Sequence, residues 1–187
     1  MSTTLPKPKA RNLYLPEQVN QESMNKLTKA IIDINTSDEY LKKLYGINDI
    51  EYNPKPINIY IDSYGGAVYQ CFGLLGVMDK STTPIHTIVT GAAMSCGFMI
   101  LISGHKRFGY EHSTPLYHQV STGFNGKIQD MEESLAETKR LQKKIETLTL
   151  QRTNIPKKKL QQVLKNKIDW HMSAEEALGL GVIDGIV

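Results

Sequence analysis

The sequence predicts an α/β fold with parallel strands, and a repeated pattern supports that prediction. Short β-branched runs at residues 57–61 (INIYI) and 85–89 (IHTIV) are typical of buried strands. Each run leads through a glycine-containing turn, at 63–66 (SYGG) or 91–97 (GAAMSCG), into apolar residues that predict a buried helix. Strands that alternate with helices in this way indicate a parallel sheet covered by helices.

Ahead of the first run, the chain divides into an arm and a helix. Residues 1–10 are polar and contain prolines, which predicts a mobile arm before a single domain. Apolar residues at 22–34 recur at helical spacing, and Asn20 or Ser23 is available to cap that helix. The polar stretch at 36–56 predicts an extension of the helix and a loop that contains prolines.

Patterns in the second half complete the alternation of strands and helices. The longest periodic segment has apolar residues on one face and Glu, Lys and Gln on the other, as in an amphipathic helix. Ser173, followed three residues later by Glu176, is a capping signature for the last helix. The other predicted elements are short strands near 107–110 and 115–119, the long helix at 127–152 and a short helix at 155–165.

Composition excludes several classes of function. The 187 residues carry a formal net charge of +3, which is too small to indicate a nucleic-acid-binding protein. No apolar run approaches the roughly 20 residues that a membrane-spanning helix needs. Cys71 and Cys96 form neither a disulfide framework nor a metal motif, so we expect a cytoplasmic protein without a metal site. The lysine- and isoleucine-rich composition is also compatible with a virus-encoded protein of a host cytoplasm.

The two glycine-containing turns carry candidate chemistry. A helix start offers unpaired backbone N–H groups and a positive dipole end, which favour a developing negative charge. Gly65 and Gly66 allow the backbone to approach a substrate closely. Ser95 lies in the second turn among small residues, in a near match to the G-x-S-x-G nucleophile elbow. Taken alone the match is weak, because such turns are structural more often than catalytic.

A serine nucleophile needs a base, and five histidines are candidates. His118 ends a predicted strand just before a polar glycine loop, from which its ring would project across a cleft. His86 lies within a predicted buried strand, and His105 and His112 lie in polar loops. The fifth is His171. A single histidine is more often a surface or core residue than a base, so the residues alone leave the choice open.

Four segments resemble, in order and spacing, those of the proteolytic subunit of the Clp protease (ClpP). They are INIYIDSYGG at 57–66, GAAMSCGFMIL at 91–101, YHQVSTGFNGKIQDMEE at 117–133 and DWHMSAEEALGLGVIDGIV at 169–187. The usual family forms are G-x-A-A-S-M-G-A around the nucleophile, HQP-x-x-G-x-x-G around the base and D-x-x-x-SA-x-EA at the acid. The resemblance covers about residues 11–187 as one domain, with an insertion around 37–52.

The resemblance implies a ClpP/crotonase-like α/β fold of repeated β-β-α units, with a protruding handle helix at about 119–152. It implies that Ser95 is the nucleophile, His118 the general base and Asp169 the carboxylate that orients the base. The backbone N–H groups of Gly66 and Cys96 correspond to the oxyanion hole of the family. The residues implied to lie near a bound substrate strand are Tyr64, Gly65, Gln119 and Gly123.

The implied activity is that of a serine endopeptidase that hydrolyses unfolded proteins and small peptides inside a chamber. The implied partners are further copies of the chain, as heptameric rings stacked in pairs into a tetradecamer, and a Clp-family ATPase. ATP would be used only by that ATPase. We therefore expect no bound cofactor, no nucleic-acid partner and no membrane attachment.

Several departures from the family pattern leave alternatives open. The arm before residue 11 is short, which leaves docking of an ATPase open. Tyr64 stands where relatives usually have proline, which removes a φ restraint and adds bulk near the substrate strand. Trp170, next to Asp169, cannot form an ion pair between rings. The alternatives are a non-catalytic subunit of a mixed ring and a crotonase-fold protein that binds acyl-CoA. An intact Ser–His–Asp set disfavours both.

Overall fold

A computed structural model describes residues 6–187 of the chain. Residues 1–5 of the predicted arm lie outside the described residues, and residues 6–10 are exposed and belong to no helix or strand. The strands are β1 (Asn12–Leu15), β2 (Ile57–Ser63), β3 (Ile85–Met94), β4 (Lys106–Gly109), β5 (Thr114–Tyr117), β6 (Trp170–His171) and β7 (Gly185–Ile186). The helices are α1 (Gln21–Ile47), α2 (Val68–Asp79), α3 (Cys96–Leu101), α4 (Ile128–Arg152), α5 (Lys157–Lys165) and α6 (Ala174–Gly179).

These strands form one sheet, and the pairing of β3 is central to it. The strands β1, β2, β3, β4 and β7 lie side by side in that order with parallel pairing. β5 also pairs with β3 in the parallel direction, and β6 pairs with β5 in the antiparallel direction. The predicted α/β fold with parallel strands is therefore confirmed.

β3 is longer than the sequence predicts. The stretch GAAM at 91–94 was predicted to be part of a turn, but the strand continues to Met94. The first part of β3 pairs with β4, whereas Ala93 pairs with Pro115 of β5. The turn prediction was wrong for this stretch, because pairing with a strand distant in sequence holds these small residues in an extended conformation.

Packing of the helices on the sheet follows the predicted periodicities. In β2, Ile57, Ile59 and Ile61 are completely buried and alternate with more exposed residues. Ile31 of α1 and Met78 of α2 are also completely buried. Burial of one such side chain stabilises the fold by about 1.5–3 kcal/mol relative to its exposure. The core therefore fixes β2 and β3, whose carboxyl ends carry the two glycine-containing turns.

Helix α1 contains most of the insertion around 37–52, which the resemblance left unexplained. The helix runs without a break through the predicted segment to Ile47, which confirms the predicted extension. The Asn20 side chain accepts from the Ser23 N–H at 2.9 Å, and Ser23 Oγ accepts from the Asn20 N–H at 3.0 Å. Both predicted capping residues are thus used, in a reciprocal capping box.

A largely buried polar network ties this insertion to the start of β1. Arg11 donates to the Asp38 carboxylate at 2.6 Å, and the Tyr52 and Thr83 hydroxyls donate to the same carboxylate at 2.7 and 2.6 Å. Burial acts to raise the pKa of Asp38, but these hydrogen bonds and the Arg11 charge outweigh it and lower the pKa. The inserted residues therefore hold the chain where it enters the sheet.

Only the second half of α4 has buried apolar residues. Leu141 and Ile145 are buried, but Met131 and Leu135 of the same apolar stripe are 40% and 45% exposed. Ile128, in the first turn, is 76% exposed. The first half of α4 therefore projects from the core, as the handle helix implied by the resemblance would. None of the helices within residues 6–187 is both long and apolar enough to cross a membrane.

Candidate active site

Ser95 occupies a strained turn between β3 and α3. Its backbone has φ 53° and ψ −116°, a conformation that residues with a side chain rarely adopt. Such strain costs on the order of 1–3 kcal/mol and persists only where the surrounding structure enforces it. The Ser95 N–H donates to the Leu116 carbonyl of β5 at 3.1 Å, which fixes the turn to the neighbouring strand. Ser95 is thereby held at the carboxyl end of β3, as in a nucleophile elbow.

Gly65 packs directly behind this turn. A Cβ atom at Gly65 would lie 2.7 Å from Ser95 Cβ and 2.6 Å from the Met94 carbonyl oxygen, so no side chain fits there. Gly65 also has a φ of 95°, which favours glycine. Gly65 therefore packs closely against the turn that contains Ser95. Its close approach to a substrate stays a prediction.

The amides of Gly66 and Cys96 are not used by the pairing around them. Val19 donates to the Gly65 carbonyl at 2.8 Å and accepts from the Ala67 N–H at 2.7 Å, so this parallel bridge uses the groups on either side of Gly66. The Gly66 carbonyl oxygen lies 3.2 Å from Cys96 Sγ. Cys96 is the first residue of α3, so its N–H has no acceptor within the helix.

Pairing of β5 with β6 brings His118 next to Asp169. Tyr117 pairs with Trp170 in the antiparallel direction, so the residue after β5 and the residue before β6 adjoin. His118 Nδ1 lies 3.9 Å from Asp169 Oδ1, close enough for charge attraction but longer than a hydrogen bond. The Asp169 side chain is 71% exposed and that of His118 is 25% exposed.

One cavity joins the serine, the histidine and the two amides. It has a volume of about 70 Å³ and is lined by Ser95 and His118 together with Gly66 and Cys96. Its remaining lining residues are largely apolar: Val68, Met99, Tyr117, Val120, Ser121 and Ile145. A hydroxyl, an imidazole and two backbone amides around one partly open cavity are the groups that acyl transfer requires.

His118 also borders a second, open groove of about 730 Å³. Asp169 and Gln119 line this groove, together with Phe124 and Leu135 of the handle region. His118 therefore stands between the cavity, which holds Ser95, and the groove, which holds Asp169. This order, serine to histidine to aspartate, is the one in which a base is oriented by an acid on its far side.

The remaining predicted site residues, Tyr64, Gln119 and Gly123, do not line this cavity. Tyr64 is 76% exposed. Gly123 is also exposed and is absent from the described linings of both the cavity and the groove. The structure thus brings Gln119 to the groove, whereas a role for Tyr64 and Gly123 beside a substrate stays a prediction.

Four histidines lie elsewhere in the structure. His86 is at the beginning of β3, opposite the end that carries Ser95, and its ring contacts Phe108 edge to face at 5.8 Å between centroids. His105 Nδ1 accepts from the Ile85 N–H at 3.0 Å at that same end. His112 is exposed, and His171 contacts the backbone of Asp169. The geometry therefore favours His118, which alone among the described histidines lines the cavity.

The Cys96 side chain faces Cys71 and the Gly66 carbonyl. Both cysteines are buried, and Cys71 Sγ lies 3.6 Å from the Cys96 carbonyl oxygen. The contact with Cys96, together with burial, raises the pKa of the Cys71 thiol. Among the described residues, no group of three or more His, Cys, Asp or Glu side chains is arranged to hold a metal ion.

Trp170 is a core residue. It is 7% exposed, its indole N–H donates to Glu176 at 3.1 Å, and Lys159 lies over its ring at 4.6 Å from the centroid. Its side chain therefore stabilises the β6–α6 region and is largely withdrawn from the surface of the protein.

Comparison with known proteins identifies the family of this chain. A family model described as Clp protease matches residues 8–187. The chain belongs to the Clp protease family. The resemblance inferred from the four motifs is therefore confirmed.

Three curated relatives of this family match most of the chain. It is 30% identical over 181 residues to ATP-dependent Clp protease proteolytic subunit 2 of Bacillus licheniformis. The matched region covers 96% of this chain and 87% of that protein. It is 34% identical over 138 residues to the ATP-dependent Clp protease proteolytic subunit of Deinococcus radiodurans, covering 72% and 67%. It is 29% identical over 180 residues to the protein of the same name from Porphyromonas gingivalis, covering 95% and 73%.

Sequence reasoning did not single out Val120 or Gln142. Val120 lies two residues after His118 and lines the cavity, and its N–H donates to Gln142 of α4 at 2.8 Å. Gln142 lies one turn before Ile145, which is buried. A polar residue this close to the apolar stripe of an amphipathic helix is the signal that would have identified it.

Proposed function

We propose that the protein is a serine endopeptidase that uses Ser95, His118 and Asp169. The observation that carries the proposal is the cavity that Ser95 and His118 line together with Gly66 and Cys96. Membership of the Clp protease family supports peptide-bond hydrolysis as the reaction. The strained backbone of Ser95 also supports a catalytic role, because such strain concentrates at functional sites.

Acylation begins when His118 takes the proton of the Ser95 hydroxyl. The serine oxygen attacks the carbonyl carbon of a peptide bond, and the negative charge of the tetrahedral intermediate passes to the carbonyl oxygen. His118 then gives its proton to the leaving amine, and the C–N bond breaks. Asp169 holds the imidazole in the productive tautomer and stabilises its cationic form.

The amides of Gly66 and Cys96 stabilise the oxyanion. The helix start at Cys96 adds a positive dipole end at the same point. Loss of one such donor typically reduces kcat by about 10²–10³-fold. Water activated by His118 then hydrolyses the acyl-enzyme and restores the serine. None of these steps requires a metal or a bound cofactor.

The protein would act as the proteolytic part of a larger assembly. The relatives are named proteolytic subunits of ATP-dependent proteases, which supports self-assembly and a separate Clp-family ATPase that alone consumes ATP. The exposed apolar residues of the handle, Ile128, Met131 and Leu135, support packing against further copies of the chain. We propose paired heptameric rings and unfolded-protein or peptide substrates in the cytoplasm.

Covalent labelling tests the proposed chemistry directly. A fluorophosphonate probe is incubated with wild-type protein, Ser95→Ala and Cys96→Ala, and intact mass is measured. We expect one addition to wild type and to Cys96→Ala, and none to Ser95→Ala. Addition that depends on Cys96 would replace the serine mechanism with a thiol mechanism. A folded wild-type protein that is not labelled would favour the structural subunit of a mixed ring, and turnover of CoA thioesters would favour the crotonase type.

A further inference from the structure

The segment after His118 is held to the rest of the protein by few hydrogen bonds. It leaves the sheet after Tyr117, and residues 121–127 are exposed and outside any helix or strand. Within the described chain, one hydrogen bond joins residues 119–126 to the rest of the protein, from the Val120 N–H to Gln142 Oε1 at 2.8 Å. This bond, together with packing of the Val120 side chain on the core, therefore holds the chain directly after the histidine.

Gln142 makes a second contact on the other side of His118. Its Nε2 lies 3.4 Å from the hydroxyl oxygen of Tyr117, which immediately precedes the histidine. Burial raises the pKa of Tyr117 to about 12, so the phenol stays protonated at neutral pH. One carboxamide thus contacts the residue before His118 and the residue two positions after it.

The same carboxamide is coupled to the shape of the cavity. Tyr117, His118 and Val120 all line the cavity beside Ser95. The Tyr117 ring also packs edge to face on Phe98 of α3, with 5.7 Å between centroids. A change in the direction of the Val120 N–H would rotate the Val120 side chain and move the His118 backbone relative to the serine turn.

We propose that Gln142 is a positioning residue for His118, which it holds through Val120 and Tyr117. This inference rests on the proposed serine-peptidase function and extends it to α4. A carboxamide suits the task because its oxygen accepts from the Val120 N–H while its nitrogen faces the Tyr117 oxygen. An apolar side chain would leave a partly buried N–H without an acceptor, which is the costly way to lose a hydrogen bond.

Four variants test this role in the full-length assembly. Gln142→Leu removes the acceptor, and we expect kcat for a fluorogenic peptide and the rate of fluorophosphonate labelling to fall about tenfold. Gln142→Glu keeps an acceptor for Val120, and we expect activity within about twofold of wild type. Val120→Pro removes the donor, in line with the HQP form that the corresponding family motif carries. In the Val120→Pro background, Gln142→Leu should change kcat by less than about twofold.

Controls separate positioning from general stability. Gln151→Leu changes an exposed glutamine on the same helix, and we expect its kcat to equal that of wild type. Hydrogen exchange at the Val120 amide should accelerate in Gln142→Leu without a comparable change in the amides of β2. Equal exchange in wild type and Gln142→Leu would overturn the proposal whatever the activity.

Kinetics then distinguish the two proposals. If wild type is labelled at Ser95 and Gln142→Leu has an unchanged kcat, the positioning role is wrong and the peptidase function stands. If Gln142→Leu lowers kcat by the same factor in the Val120→Pro background as in wild type, the effect does not depend on the hydrogen bond from the Val120 N–H. The proposal is then equally wrong. Absence of labelling on folded wild type would overturn the peptidase function, and with it the positioning role.

Discussion

The chain around Ser95 and the chain around His118 face the same cavity but are held in different ways. Ser95 joins β3 to α3, and residues 96–104 that follow it are all buried. His118 begins a stretch in which residues 121–127 are all exposed, and its contact with Asp169 is 3.9 Å long. Buried backbone pairing therefore fixes Ser95, the proposed nucleophile, whereas a few polar contacts fix His118, the proposed base. Changes on the serine side should affect folding and activity together, and changes on the histidine side should affect activity alone.

Gly66→Ala should give the largest effect, since it damages the rigid side of the site. A Cβ atom there would lie 2.2 Å from the Val19 carbonyl oxygen, and φ is 146°, so the backbone must move and carry the Gly66 amide with it. We expect labelling of Ser95 to slow by at least about hundredfold. Rates of fluorophosphonate labelling measure this. A wild-type rate in Gly66→Ala would show that the Gly66 amide does not serve the oxyanion.

Asp38→Asn should lower stability without changing the active site. The charge of Arg11 would lose its partner in a nearly buried pair, which we expect to cost about 3 kcal/mol of unfolding free energy near neutral pH. Activity per folded molecule should equal that of wild type, because the network lies at the start of β1.

The pH dependence of this effect follows from the lowered pKa of Asp38. A carboxylate with a lowered pKa in the folded state contributes stability that is present above its unfolded pKa, near 3.9, and is lost as pH falls through the folded pKa. The difference in unfolding free energy between wild type and Asp38→Asn should therefore be constant above about pH 5 and shrink below about pH 4. Urea unfolding at several pH values measures it. A difference that persists unchanged at pH 2 would contradict this assignment.

Asp169→Asn tests the chain around His118, which few polar contacts hold in place. The substitution keeps the shape of the side chain but removes the charge that, in the proposed mechanism, orients His118 and stabilises its cationic form. We expect kcat to fall by about hundredfold, less than the ~10⁴-fold loss at a buried triad aspartate, because Asp169 is largely exposed. The melting temperature should not change. Asp49→Asn, at an exposed position far from the cavity, is the control and should keep wild-type kcat.

Gly73→Ala should give the smallest effect and the opposite sign. A Cβ atom at Gly73 meets nothing within 4 Å, and the residue lies inside α2. Alanine is favoured over glycine in a helix interior by about 1 kcal/mol, so we expect a small rise in unfolding free energy with unchanged kcat. A loss of activity would show that α2 transmits changes to the Gly66 amide at its start.

The sequence predicted the parts of the structure that depend on residues close together in the chain. It did not predict a part that depends on pairing between distant segments. β2, α1 and the capping of α1 by Asn20 or Ser23 depend on residues close in sequence, and all were predicted. The extension of β3 to Met94 was not, because it depends on pairing with β5. The choice of His118 from five histidines depended on the family resemblance. Its position beside Ser95 in one cavity follows from the sheet order.

Local periodicity, turn chemistry and four motifs were thus enough to determine the α/β class, the family and the candidate residues from the sequence. Tertiary structure alone decided that the insertion is anchored by Asp38 and that half of α4 projects from the core. It also decided that Gln142 contacts the two residues around His118. The physical reason is that periodicity records only whether a position is buried on average. The partner of a particular N–H or carboxylate depends on which distant segments the folded sheet brings together.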